Sequence, residues 1–206
     1  MPAENPERIA RAWSRFTEDD KEAFAEIYNT FVDDLFRYGT KICPDEEMVK
    51  DAIQEVFMDL YLNRRNKKKF ATNLKFYLIL AIKRNLIRKL QKTRKTENRF
   101  VAEADLFDAQ YSFEEQLIAE ESDREVNKKI QEAMAQLPPR QKEAIYLRYN
   151  QSLEYDQIAA MLNISVESVR KQVYRAVKSV RDCFGGNGLI LFSLFKKQFR
   201  FGRKNL

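Results

Sequence analysis

Residues 153–182 read Leu-Glu-Tyr-Asp-Gln-Ile-Ala-Ala-Met-Leu-Asn-Ile-Ser-Val-Glu-Ser-Val-Arg-Lys-Gln-Val-Tyr-Arg-Ala-Val-Lys-Ser-Val-Arg-Asp. Ile158, Ala159 and Leu162 give a short helix one buried face, and the small Ala159 and Ala160 let two helices cross closely. Asn163 stands where a tight turn needs left-handed backbone, which asparagine tolerates better than most residues. Ser165 is placed to cap the next helix. In that helix Val166, Val169, Val173, Ala176, Val177 and Val180 fall on one side, and Glu167, Ser168, Lys171, Gln172 and Arg175 on the other. The pattern predicts a helix-turn-helix with an apolar underside and a polar, cationic reading face. A small helical bundle with a merely solvated basic face is the alternative. Short side chains at Ser165 and Ser168 allow the helix start to approach phosphate, where its dipole is favourable. Glu167 suits a cytosine amino group, Lys171 and Gln172 suit other base edges, and Arg170 and Lys178 lie further round, towards phosphates.

The rest of the chain also reads as helical, because its interior is nearly free of Gly and Pro. Phe24, Ile27, Tyr28, Phe31, Leu35 and Tyr38 predict a helix from about Asp19 to Ile42. Met48, Val49, Ala52, Ile53, Val56, Phe57 and Leu60 predict a second near Asp45–Leu62, and Leu74, Tyr77, Leu78, Ala81, Ile82 and Leu86 a third from about Asn73 to Lys92. Residues 63–72 between them form a basic loop. Residues 93–111 read as a linker. Ser112 and Glu115 fit a capping box, opening a helix that Leu137-Pro138-Pro139 breaks, with Pro139 in the first turn of the next one. Met1–Ala12 carries acids and no long apolar run, so no signal peptide is expected.

Composition narrows the function. The 206 residues include no histidine, which removes Ser-His-Asp and Cys-His centres and His-containing zinc sites. Five glycines occur and none opens a phosphate-cradling loop. Cys43 and Cys183 follow no ligand spacing and read as free thiols of an intracellular chain. The formal charge of +6 conceals four unlike blocks. Residues 1–60 hold seven cations and fifteen anions; residues 61–96 hold thirteen cations and no anion. Residues 97–139 hold four cations and eleven anions; residues 140–206 hold thirteen cations and five anions. Thirteen cations with no anion among them repel one another, so an anionic partner is the better account than a solvated surface. In the basic block Phe70, Phe76 and Tyr77 stand among Lys67, Lys68, Lys69, Lys75, Lys83, Arg84 and Arg88. Aromatic planes stack on unpaired bases while cations follow the backbone; core packing is the competing role for each ring.

Leu137-Pro-Pro-Arg-Gln-Lys-Glu-Ala-Ile-Tyr-Leu-Arg-Tyr149, followed by the helix-turn-helix, resembles region 4 of a bacterial sigma factor. Asp51-Ala-Ile-Gln-Glu-Val-Phe57 resembles the region 2 signature that docks on the clamp of core RNA polymerase. Phe76-Tyr-Leu-Ile-Leu-Ala-Ile-Lys-Arg-Asn-Leu-Ile-Arg88 resembles the helix that melts and reads the minus-ten element. Two such regions and a short linker make the chain similar to extracytoplasmic-function (ECF) sigma factors over about residues 19–183. The resemblance implies an all-α protein of two small helical domains joined by an acidic linker. Region 2 would occupy 1–92, the linker 93–111, region 4 112–184 and an apolar-basic tail 185–206. It implies a non-enzyme, without cofactor, metal or small-molecule substrate, acting in the cytoplasm on core polymerase and promoter DNA, and commonly held by an anti-sigma factor.

The same resemblance assigns residues. Asp51, Gln54, Glu55 and Met58 would dock on polymerase, with Phe57 in the core. Lys67, Lys68, Lys69, Phe70, Lys75, Tyr77, Lys83, Arg84, Asn85 and Arg88 would meet the minus-ten element, Asn85 helping to read a flipped base. Tyr77 stands where the family often has tryptophan. Ser165, Glu167, Ser168, Arg170, Lys171, Gln172 and Arg175 would meet the minus-thirty-five element. Residues 97–125, with ten acids and two bases, match the segment that threads the polymerase active-site cleft; a disordered acidic spacer reads the same way. Leu189–Phe195 is too short to span a bilayer; with the cations after it, it suits packing on the last domain or a regulatory partner, ahead of contact with an anionic membrane surface. Two rivals remain open here: a dimeric helix-turn-helix regulator of duplex DNA, and a magnesium-dependent nuclease using Asp51 and Glu55.

Overall fold

The computed structural model describes residues 6–66, 74–96, 106–107 and 131–182, and all regular structure among them is helical. The chain divides into two compact units, Met1–Glu103 and Ala104–Leu206.

In the first unit α1 (Pro6–Thr17), α2 (Lys21–Gly39), α3 (Glu46–Leu62) and α4 (Leu74–Thr96) follow one another, with a 3-10 turn at Arg64–Asn66. The predicted first helix starts two residues late and ends three early, because Asp20 is its cap: the Asp20 carboxylate accepts from Ala23 N at 3.0 Å. Asp45 caps α3 in the same way, accepting from Glu47 N and Met48 N at 3.1 Å each. The third predicted helix runs four residues beyond Lys92, so part of the expected linker is helical.

α1 was not expected. Ile9, Ala12, Trp13 and Phe16 bury one face of it against α2, at the helical spacing of three, one and three residues. Trp13 meets Phe16 edge-on at 5.5 Å, Phe16 stacks on Phe24 at 5.3 Å, and Phe24 meets Tyr61 of α3 at 5.3 Å. Offset and edge-on rings at such distances each add about 0.5–1.5 kcal/mol beyond burial. Val49, Ile53, Phe57 and Leu60 of α3 and Leu78, Ile82 and Leu86 of α4 complete the core with Ile27, Phe31 and Leu35 of α2.

In the second unit, residues 131–135 are helical, and Pro138 and Pro139 start α5 (Pro139–Ile145), Pro139 lacking the N–H that an opening turn leaves unused. A π-helical turn continues it over Tyr146–Asn150. α6 (Tyr155–Leu162) and α7 (Val166–Asp182) follow, and α7 packs on both α5 and α6. The capping box expected at Ser112, together with Cys183, the segment 97–105 and the tail 185–206, lies outside the described residues.

Candidate nucleic-acid interface

The first unit offers two adjoining helix faces. On α3, burying Val49, Ala52, Ile53, Val56, Phe57 and Leu60 leaves Asp51, Gln54, Glu55 and Met58 pointing outward. Met58 is 57% exposed and Leu62, one turn on, 70%. Two bare apolar side chains beside carboxylates suit a protein partner better than solvent. Leu62 was missed because it reads as one more apolar residue of a buried stripe; only its position past Leu60 turns it out.

α4 sorts its cations by register. Leu78, Ile79, Ile82, Leu86 and Ile87 face the core. Lys83 falls on that stripe, four residues from both Ile79 and Ile87, and is 4% exposed. The expected surface cation at 83 is therefore an inward one. Lys75 also turns inward: its ammonium lies 3.1 Å from the Asp34 carboxylate of α2. Arg84 and Arg88 stand exposed. Phe76 and Tyr77 are half-buried, the Tyr77 hydroxyl donating to Asp59 Oδ2 at 3.2 Å. Lys67, Lys68, Lys69 and Phe70 lie outside the described residues.

The turn that leads towards them is anchored. Asp19, at φ +73°, binds the guanidinium of Arg64 and, at 2.5 Å, that of Arg65. Those two hydrogen bonds, Arg65 first, hold the Asp19 carboxyl below its ordinary value. Arg64 also lies over the Tyr61 ring at 4.4 Å.

Glu55 bridges the two faces. Its carboxylate accepts from Lys89 Nζ at 2.7 Å and from Asn85 Nδ2 at 2.8 Å, with Arg88 Nη2 at 3.8 Å. The Lys89 and Asn85 bonds hold its carboxyl below the usual value. Asn85 itself is 7% exposed. A carboxylate so engaged is poorly placed to serve the metal site that the nuclease alternative needs.

In the second unit the helix-turn-helix takes its expected form. Asn163 adopts φ 52°, ψ 48° and closes α6, while Ile164 N donates to Ala159 O at 3.1 Å. Ser165 Oγ accepts from Ser168 N at 3.1 Å and pairs with Ser168 Oγ at 2.9 Å. Glu154 and Gln157 form a capping box at the start of α6. Val169, Val173, Ala176 and Val180 are buried under α7; Val166, assigned to that side, is exposed at the helix start, and Val177 is half-buried.

The outer side of α7 carries Glu167, Arg170, Lys171, Arg175 and Lys178 exposed, with Ser168 and Gln172 half-buried. Glu167 binds Lys171 at 2.7 Å, so the one acid of this face is partly neutralised. Arg170 lies over the Tyr155 ring at 5.6 Å. Arg148 also lies over that ring, at 4.7 Å, and donates to Leu153 O and Glu154 Oε2. Tyr174, 67% exposed, extends the row Glu167–Lys171 by one turn. Sequence reading passed over it because aromatics default to the core; its place three residues after Lys171 was the available signal.

Among the described residues one helical unit thus sets an exposed apolar-acidic helix beside a cationic one, and the other carries a helix-turn-helix. Residues 27–96 match the model of Sigma-70 region 2, and residues 127–180 that of Sigma-70, region 4. The chain belongs to the ECF sigma factors of bacterial RNA polymerase, a family that binds core polymerase and promoter DNA. It is 24% identical to the ECF RNA polymerase sigma factor SigM of Bacillus subtilis over 159 residues, covering 77% of this chain and 93% of that one. It is 25% identical to SigW of the same organism over 171 residues, covering 79% and 89%. In fold it is similar to the sigma factor RpoE of Bartonella quintana, solved in complex with the anti-sigma factor NepR. The TM-score is 0.53 at 17% identity, over 80% of this chain and 98% of that one.

Proposed function

We propose that this chain docks on core RNA polymerase, directs it to a promoter, holds the strands open and so starts transcription. Region 2, over 1–92, docks through Asp51, Gln54, Glu55 and Met58, extended by Leu62. It meets the minus-ten element through Arg84, Arg88, Tyr77, Asn85 and the loop residues Lys67, Lys68, Lys69 and Phe70. Lys75 and Lys83, turned inward, support that surface rather than touch DNA. The acidic segment over 97–125 follows the polymerase cleft. Region 4, over 112–184, meets the minus-thirty-five element through Ser165, Glu167, Ser168, Arg170, Lys171, Gln172 and Arg175, with Tyr174 added. Strand opening uses binding energy alone: each base stacked on an aromatic ring contributes about 1–3 kcal/mol, so no covalent chemistry and no cofactor is required. Work on chromosomal promoters places the chain in the cytoplasm. An anti-sigma factor, such as the one bound to the Bartonella relative, is the expected regulator.

The observation that carries this reading is the order of the two family matches, region 2 before region 4, in one chain whose two units each present a cationic helix. Transcription in vitro with cognate core polymerase tests it. Initiation that depends on the added chain is expected, and tight promoter binding by the chain without polymerase would instead favour a dimeric repressor.

A further inference from the structure

The segment that joins α5 to the helix-turn-helix carries several unfavourable features at once. Its turn over Tyr146–Asn150 is π-helical, a rare form that recurs at functional sites. Ser152 adopts φ 56°, which residues other than glycine seldom do. The side-chain oxygens of Asn150 and Gln151 are buried with no hydrogen-bond partner among the described residues, a further cost. Such costs persist where the surrounding structure requires them. What the segment delivers is Arg148, in the middle of the π-helical turn. Its guanidinium donates to Leu153 O at 2.8 Å and to Glu154 Oε2 at 3.0 Å, and lies 4.7 Å from the centre of the Tyr155 ring. Tyr155 opens α6 and is half-buried. The Arg170 guanidinium of α7 lies 5.6 Å from the centre of the same ring. Glu167, one turn before Arg170, pairs with Lys171, and Glu154, beside Tyr155, pairs with Arg148. Arg170 is thus held by a ring rather than by a carboxylate. A ring face attracts a cation without cancelling its charge, and that charge is what a phosphate contact uses.

We propose that Tyr155 is a positioning residue for the DNA backbone at the minus-thirty-five element: anchored by Arg148, its ring holds the Arg170 guanidinium, charge intact, where it meets one phosphate. An arginine placed in advance loses less side-chain freedom on binding. The π-helical turn then has a role, since it brings Arg148 to that ring. Phosphate contacts set register and carry no sequence information directly, so Tyr155 governs how α7 is seated rather than which bases it favours. This rests on the sigma factor reading above, and adds a residue that acts through Arg170.

Promoter duplexes in which one minus-thirty-five phosphate at a time is replaced by an uncharged methylphosphonate, bound by holoenzyme made with cognate core, test it. For each holoenzyme the affinity for the native duplex is divided by that for the substituted one, so an inactive fraction does not move the ratio. With the wild-type chain one phosphate should matter that no longer matters in Arg170→Ala. At that phosphate the ratio should fall about two- to fivefold in Tyr155→Leu and stay at the wild-type value in Tyr155→Phe, which keeps the ring. Tyr155→Leu should lower it no further in the Arg170→Ala background. Tyr155→Met, which fills space without a ring, takes the place of Tyr155→Leu should that variant not fold. Uniform weakening on every duplex, with the ratio at the Arg170 phosphate unchanged, would leave Tyr155 a packing residue only and overturn the inference. Tyr155→Phe as impaired as Tyr155→Leu, or the absence of any phosphate that depends on Arg170, would overturn it too. If the wild-type chain gives no promoter binding with cognate core, the sigma factor reading itself fails.

Discussion

At Gly39 the end of α2 runs so close to α3 that an added β-carbon would sit 2.6 Å from Val49 Cγ1 and 3.4 Å from Leu86 Cδ1. Val49 is buried and β-branched, with few rotamers to retreat into. Gly39 closes its helix, so alanine recovers little of its interior helix preference there. Gly39→Ala should cost about 1–2 kcal/mol, read as a lower urea midpoint at unchanged slope. Asp34 shows the electrostatic counterpart. Burial pushes its carboxyl up, but the Lys75 ammonium and the Arg37 guanidinium outweigh burial and hold it below 3.8. A folded value below the unfolded one means that the stabilisation is present above the ordinary carboxylate value and is lost as pH falls through the folded value. Lys75→Met removes the first of those partners and leaves burial in place. The region 2 unit should lose about 1–3 kcal/mol at pH 7, and its further loss between about pH 5 and pH 2 should be shallower than in wild type. Urea unfolding across that range decides, and parallel acid profiles would show that Lys75 does not hold Asp34 down.

At the scale of elements, the turn between α6 and α7 rests on two local devices. Asn163 supplies the left-handed residue and Ser165 the cap. Ser165→Ala should destabilise the region 4 unit by about 1 kcal/mol. Asn163→Ala should cost about 1–2 kcal/mol, whereas Asn163→Gly should be nearly neutral; thermal melts of the three variants check the order. This motif was legible because its signals are local: a turn residue, a cap and a valine repeat within one helix. α2, α3 and α4 were legible for the same reason. α1 was not, although Ile9, Ala12, Trp13 and Phe16 have the right spacing, because the cluster that makes the helix worth forming includes Phe24 and Tyr61, remote in sequence. The π-helical turn at Tyr146–Asn150 carries no such signal; it accompanies Gln151, which is buried and donates to the Tyr146 hydroxyl at 3.2 Å.

Over the whole chain, charge is arranged by block, and sequence located the blocks without saying which cations face outward. Residue type alone put Lys75 and Lys83 with Arg84 and Arg88; the helical register separates them, since 79, 82, 83 and 86 share the core side and 84 and 88 do not. Asn85 was placed by resemblance as a base reader, but its tie to Glu55 links two helices 30 residues apart in sequence, which no local pattern encodes. The consequence is measurable as salt dependence. Each phosphate neutralised by a protein cation contributes about −0.9 to the slope of log affinity against log salt on duplex DNA. Arg84 and Arg175, exposed on α4 and α7, should therefore each change that slope by about one when replaced by alanine. Lys83→Met should leave it as in wild type, because a buried side chain releases no counterion from DNA, whatever the substitution does to stability. Holoenzyme titrations of promoter DNA between about 50 and 200 mM salt give the slopes directly. A full unit lost on replacing Lys83 would mean that α4 rolls its inner face outward when it meets DNA, and that the register seen in the free domain is not the one that reads the promoter.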